Sequence, residues 1–382
     1  MPIAGWFATC KPYPIFERHV FSTPSNPDTN RKVSSRILSP CKKAEEWSRL
    51  LLKALLLSLT LGCFVIARGC EAPGISSFLD QAPLKSGPAP LPTLLAVYMP
   101  WFGDHTHLDV GYSSNNPSVL RKQIEHARSL GISAFVVDWY GESVPYSDRN
   151  FALLQKVASK SHFQVALLYN EPADEDADVT DEAIAGFDKA YKDYIGPSAK
   201  YRDTYLTYQG RPLIFIFPKD GHVDWNRVRE HCSDWAAAPL LIYKDEPPAG
   251  IANDFAGSYA WVHPGPGGFA ADGSNWGEQY LQNFYQIMRN KHPDKIAIGG
   301  AWPGFDDSAA KWGLNRHMQR RCGKTLDETL HLYNRYYDSA TPLPFLLIET
   351  WNDYEEGTAI ERGTSGGCGG DQNADPSLPM QH

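Results

Sequence analysis

Cysteine is scarce in this chain: seven among 382 residues, namely Cys10, Cys41, Cys63, Cys70, Cys232, Cys322 and Cys368. No two stand at a metal-knuckle or redox spacing, so neither a zinc site nor a disulfide framework organises the fold. Positive charge is also in deficit. Lys plus Arg number 36 against 44 Asp plus Glu, a formal net charge of −8, the wrong sign for a nucleic-acid surface. No Gly-x-Gly-x-x-Gly follows the first apolar strand, which counts against a dinucleotide-binding sheet. Nothing in the composition calls for a cofactor. The apolar run at 54–67 falls short of the roughly 20 residues that span a bilayer comfortably.

That run has another use. Lys53 precedes it and Arg68 follows, as in a signal-peptide core of roughly 7–15 residues. Its distance from Met1 leaves two readings. Either residues 1–49 are a misassigned extension and translation starts near Leu50, or segment 50–70 is a marginal signal anchor attaching the chain to a membrane. Both export the rest of the chain, to the periplasm, the cell surface or the medium. Gly69-Cys70 resembles a lipoprotein cleavage point, although Ala67 and Arg68 depart from the usual lipobox. A Pro/Gly/Ser-rich linker at 71–92 leads to a domain at 93–362, and a Gly-rich tail at 363–382 closes the chain as expected disorder.

Aromatic residues are plentiful, at 12% with 11 Trp, and offer flat apolar faces suited to sugar rings. Within the domain, apolar runs at 94–100, 132–138, 163–169, 211–217, 239–243, 255–262, 295–301 and 345–348 alternate with helical patterns at 117–130, 181–194, 276–290 and 326–337. Eight such strands predict a single (β/α)8 TIM barrel, with function at the carboxyl ends of the strands. Suggestive residues cluster there: Trp101, Asp138, Trp139, Tyr140, Tyr169, Glu171, Lys219, Asp220, His263 and Trp302. After the last strand come Trp351-Asn-Asp-Tyr-Glu-Glu-Gly357, with Asp353 and Glu356 three residues apart. Paired carboxylates beside aromatic rings suit acid–base cleavage of a sugar linkage. The same Asp-x-x-Glu is also a helix-start signature, with Asp353 as cap and Glu356 reaching back to its amide.

Three segments carry a family likeness: Tyr98-Met-Pro-Trp-Phe102, His107-Leu-Asp-Val-Gly-Tyr-Ser-Ser114 and Gly131-Ile-Ser-Ala-Phe-Val-Val-Asp-Trp-Tyr140. With Thr350 to Thr358 and Ile360-Glu361, they resemble the glycoside hydrolase family 71/99-like barrels, which include endo-α-mannosidases and endo-α-1,3-glucanases. The resemblance implies a glycosidase acting on α-mannan or α-1,3-glucan. It places Glu356 as general acid and Asp353 as base, acting on water or on the sugar 2-hydroxyl. The mannosidase branch resembles Asn-Glu-x-x-Glu, whereas Asp353 matches the glucanase branch. One retains configuration and the other inverts it, so substrate and stereochemistry stay open. Tyr98, Trp101, Asp138, Trp139 and Tyr169 are expected to line sugar subsites.

Two rival readings remain. His105, His107, Lys219, His263 and Asp353 resemble part of an amidohydrolase metal-ligand set. A non-catalytic glycan-binding barrel would keep the aromatic rim and dispense with turnover.

Overall fold

The computed structural model describes residues 90–172, 177–219 and 222–361. The proposed extension, the export segment, all but the end of the linker, Asp220 and the tail lie outside these residues. Among the described residues no helix is long and apolar enough to cross a membrane.

Eight parallel strands form one closed sheet: β1 (Thr93–Tyr98), β2 (Ile132–Trp139), β3 (Gln164–Asn170), β4 (Arg211–Phe217), β5 (Leu240–Lys244), β6 (Gly257–Tyr259), β7 (Ile296–Ala301) and β8 (Phe345–Ile348). Closure rests on two pairings. β1 joins β8 with Thr93 opposite Phe345, and β3 joins β4 with Leu167 opposite Ile214. The architecture is the expected (β/α)8 barrel. The eight apolar runs each supply one strand, and β8 is buried along its whole length. Sheets covered on both faces need such uninterrupted apolar strands.

Among the described residues the α-helices are α1 (Pro117–Ser129), α2 (Pro145–Ala158), α3 (Thr180–Ala190), α4 (Trp225–Cys232), α5 (Glu278–Asn290) and α6 (Lys324–His331). α1 shows how sequence sets their limits. Asn116 Oδ1 accepts the Ser118 amide at 2.9 Å and Pro117 opens the first turn. Leu120, Ile124 and Ala127 then face the sheet, and Gly131 at φ +83° lets the chain leave. Between β5 and β6 only a short 3-10 turn, Ala252–Asp254, occupies the helix position.

The β6 run is shorter than its sequence pattern. At Gly257 a Cβ would stand 2.2 Å from the Ile296 carbonyl oxygen, so only glycine permits this close approach to β7.

Candidate active site

The chain leaving β8 is tied down along its whole return. The Trp351 amide donates to the Val97 carbonyl at 2.7 Å, extending the β8–β1 pairing past the strand end. Asn352 continues it with its side chain, accepting the Met99 amide at 2.7 Å and donating to the Met99 carbonyl at 3.0 Å. The Ile360 amide bonds back to Thr350 and the Glu361 amide to Trp351, while Arg320 donates to the carbonyls of Gly357 and Ala359. Asp353 and Glu356 sit inside this strap, on a base that cannot drift.

Asp353 makes the capping contacts anticipated for it. Its Oδ1 accepts the amides of Glu355 and Glu356 at 3.0 and 2.9 Å, the contacts of a capping residue. The chain makes one turn and no helix, because Gly357 follows at φ +62°. Glu356 does not reach back. The Asp353 amide is taken by Thr350 Oγ1 at 2.7 Å, and Glu356 Oε1 instead accepts Trp312 Nε1–H at 2.9 Å. Both capping bonds fall on Oδ1, and among the described residues no donor contacts Oδ2.

Burial, then the neighbouring Glu356, holds the Asp353 carboxyl well above the usual range. Burial also raises Glu356, opposed first by the Trp312 hydrogen bond and then by Arg316. Both carboxyls are thus raised chiefly by burial, which favours the protonated form of each.

Facing them, Asp138 at the end of β2 accepts Tyr140 Oη–H at 2.8 Å and Asn170 Nδ2–H at 3.0 Å. Burial raises its pKa as well, and its charge is felt at Glu356. Trp101 is 8% exposed; its ring lies flat on His107 at 4.6 Å and meets Trp312 edge-on at 6.3 Å. His107 Nδ1 and Glu355 Oε2 are 2.9 Å apart, which braces the loop after β1 against the loop after β8. Asp138 and Trp101 therefore stand at the mouth with the pair.

Tyr98, Trp139 and Tyr169 stand elsewhere. Tyr98 Oη donates to Gln123 of α1 at 2.9 Å, and Trp139 Nε1 donates to Asp148 of α2 at 3.1 Å. The Tyr169 ring meets Phe187 of α3 and Trp225 of α4. All three are buried between sheet and helices, behind the wall of the mouth. Strand alternation explains it: Asp138 and Asn170 point one way, Trp139 and Tyr169 the other.

Tyr140, noted at the strand end but not expected to line a subsite, shares the face of Asp138 two positions earlier, a usable signal. Sequence reasoning passed over other mouth residues. Trp312 lies in the long segment between β7 and α6 and carried no such signal. Lys244, at the last position of β5, and Phe217, at the last of β4, were visible only as strand ends.

Glu171 accepts Trp225 Nε1–H at 2.9 Å and the Lys219 amide at 3.0 Å, and burial pushes its pKa up to about 7. Glu349 is fully buried, with its Oε1 against the Cα side of Gly300, where a Cβ would stand 2.9 Å away. Burial, then Asp245, raises its pKa well above the usual carboxylate value, which favours its neutral form beneath the site.

The amidohydrolase-like set does not assemble. His105 is exposed and turns to Asp104, His107 is held by Glu355, and His263 Nδ1 accepts the Gly265 amide. Among the described residues no group of three or more His, Cys, Asp and Glu converges as metal ligands.

No protein-family model matches the sequence, and no curated protein matches it significantly. Solved structures do share the fold. A GH99 endo-α-mannosidase from Bacteroides thetaiotaomicron, in complex with bis-tris-propane, superposes with a TM-score of 0.53 at 20% identity, covering 70% of this chain and 86% of that one. A second structure of a GH99 endo-α-mannosidase from that organism gives 0.51 at 19%, covering 70% and 87%. A glycoside hydrolase-like protein gives 0.53 at 14%, covering 73% and 89%. At such identities the likeness establishes architecture, and this chain shares the barrel of the endo-α-mannosidases.

Proposed function

We propose that the chain is a glycoside hydrolase acting on α-linked glycans of the α-mannan or α-1,3-glucan type. The observation that carries this reading is the Asp353–Glu356 pair, strapped to the carboxyl end of β8 with both carboxyls raised by desolvation. The fold shared with endo-α-mannosidases supports it, and so does the aromatic wall of Trp101 and Trp312.

Glu356 is the more exposed of the two and carries a proton toward the mouth, where it protonates the glycosidic oxygen as that bond breaks. Asp353 is then the carboxylate, stabilised on Oδ1 by its two amide donors, and uses Oδ2 as base toward water or the sugar 2-hydroxyl. Asp138, with Tyr140, adds negative charge opposite an oxocarbenium-like transition state. Because both members are raised, activity follows a bell-shaped pH profile whose limbs lie above the ordinary carboxylate range.

The test is reducing-sugar release from α-1,3-glucan and α-mannan oligosaccharides by residues 72–382. Release by the parent chain, lost in Glu356→Gln and Asp353→Asn, supports the reading and names the substrate class. Undiminished release by both variants overturns the site. Binding without turnover would make the barrel a glycan receptor.

A further inference from the structure

The carboxylates occupy one side of the mouth, and the opposite side carries the other sign. Lys244 ends β5 and is half-buried, with its Nζ 4.1 Å above the centroid of the Phe217 ring. Phe217 in turn meets the partly exposed Trp261 edge-on at 5.1 Å. Among the described residues the Lys244 ammonium has no carboxylate within 4.0 Å and no hydrogen-bond acceptor. Asp245, Glu349 and Glu356 act on it only at longer range, and burial draws its pKa down. Lys219, after β4, is a second cation on this side, exposed and with its Nζ 5.5 Å over the Tyr140 ring.

A partly desolvated ammonium whose donors have only solvent to meet is placed to take an anionic acceptor. A cation–π contact stabilises it by only about 0.5–2 kcal/mol and satisfies none of those donors directly. Elsewhere the molecule pairs its half-buried lysines. Lys189 holds both Asp148 and Asp193 at 3.3 and 2.7 Å. Lys244 is left open on the wall that faces the catalytic pair, beside two aromatic rings on which a sugar can stack.

From this placement we infer that the substrate carries an anionic substituent on its sugar, a carboxylate, sulfate or phosphate, which Lys244 binds from the wall formed by Phe217 and Trp261. This inference rests on the glycosidase reading of the mouth and narrows its substrate class. Lys219 adds charge of the same sign at the neighbouring strand end, steering the anion to this side and away from Asp353 and Glu356.

Binding, measured without turnover, separates the two claims. The chain would be titrated on immobilised mannan and glucan oligosaccharides bearing a uronate, a sulfate ester or a phosphate ester, each beside its neutral parent. At least one anionic member should bind about tenfold tighter than its parent, the size of one charge-assisted hydrogen bond, and the preference should shrink with salt. Lys244→Gln should abolish the preference, read as the ratio of charged to neutral affinity, and Lys244→Arg should retain it. A purely structural lysine would alter melting in Lys244→Gln without touching the charged-to-neutral ratio. Equal binding of every anionic member and its parent overturns the inference, as does a preference that survives Lys244→Gln. Cleavage of neutral glycan alone would leave the glycosidase standing and this inference fallen. Charge-selective binding without cleavage would do the reverse.

Discussion

The two ends of the barrel differ in a way that volume alone misreads. A cavity of about 690 Å3 opens at the amino-terminal end, where Arg128, Ser133, His162, Lys200 and Asp203 line the loops entering β2 and β3. Its polar groups are surface side chains in ordinary environments. At the carboxyl-terminal end Asp138, Asp353 and Glu356 are held with raised pKa values, inside loops that hydrogen bonds determine many times over. Desolvating charge costs free energy that folding alone gives no reason to spend. A hollow at the foot of a barrel serves packing; expensive charge at its mouth marks chemistry.

The comparison breaks most sharply by substitution. Glu356→Gln or Asp353→Asn should lower kcat/KM on the cleaved glycan by about 100- to 10,000-fold, with melting temperature unchanged or raised, since each removes a buried charge. Lys200→Ala, in the amino-terminal cavity, should leave kcat/KM within experimental error of the parent. Steady-state kinetics and thermal melts on the same preparations check both.

Asn352→Ala should come next. It strips the Met99 amide and carbonyl of their partner, at about 1–3 kcal/mol for a buried group left unsatisfied. It also frees the turn that aims Asp353, so kcat/KM should fall by about 100-fold, more than the lost stability explains at a temperature where the variant is folded. Equal loss of activity and folded fraction would show that Asn352 only supports the fold.

A smaller effect tests the neutral acid beneath the site. The folded pKa of Glu349 is raised, so its contribution is fully present below the unfolded value of about 4.3 and is lost as pH rises toward the folded value. Glu349→Gln should flatten that decline, by about 1.4 kcal/mol for each pH unit in the interval. Parallel urea denaturation series at pH 4, 6 and 8 would read the slopes, and identical slopes in parent and variant would contradict the burial argument.

Much of this was legible in the sequence, for physical reasons. Strands buried on both faces must be continuously apolar, so eight runs predicted eight strands, and Phe345–Ile348 pointed directly at the pair beyond it. The direction of aromatic side chains was less accessible. Tyr98, Trp139 and Tyr169 lie at strand ends, yet which of two adjacent residues faces the mouth depends on register, which neighbouring strands set. Trp312 reaches Glu356 from the long segment between β7 and α6, and Phe217 meets Lys244 and Trp261 from separate parts of the chain, with no local spacing to announce such meetings. Asp353 taught a different lesson: the capping and catalytic readings, posed as rivals, use different oxygens of one carboxyl.

The central claim is that Asp353 and Glu356 work together as one catalytic unit. Its most direct test is kcat/KM for Asp353→Asn, Glu356→Gln and the double variant on the same glycan. The account predicts that the double variant is no worse than the poorer single one, because either change already dismantles the pair. Losses that multiply would contradict it, showing two independent groups.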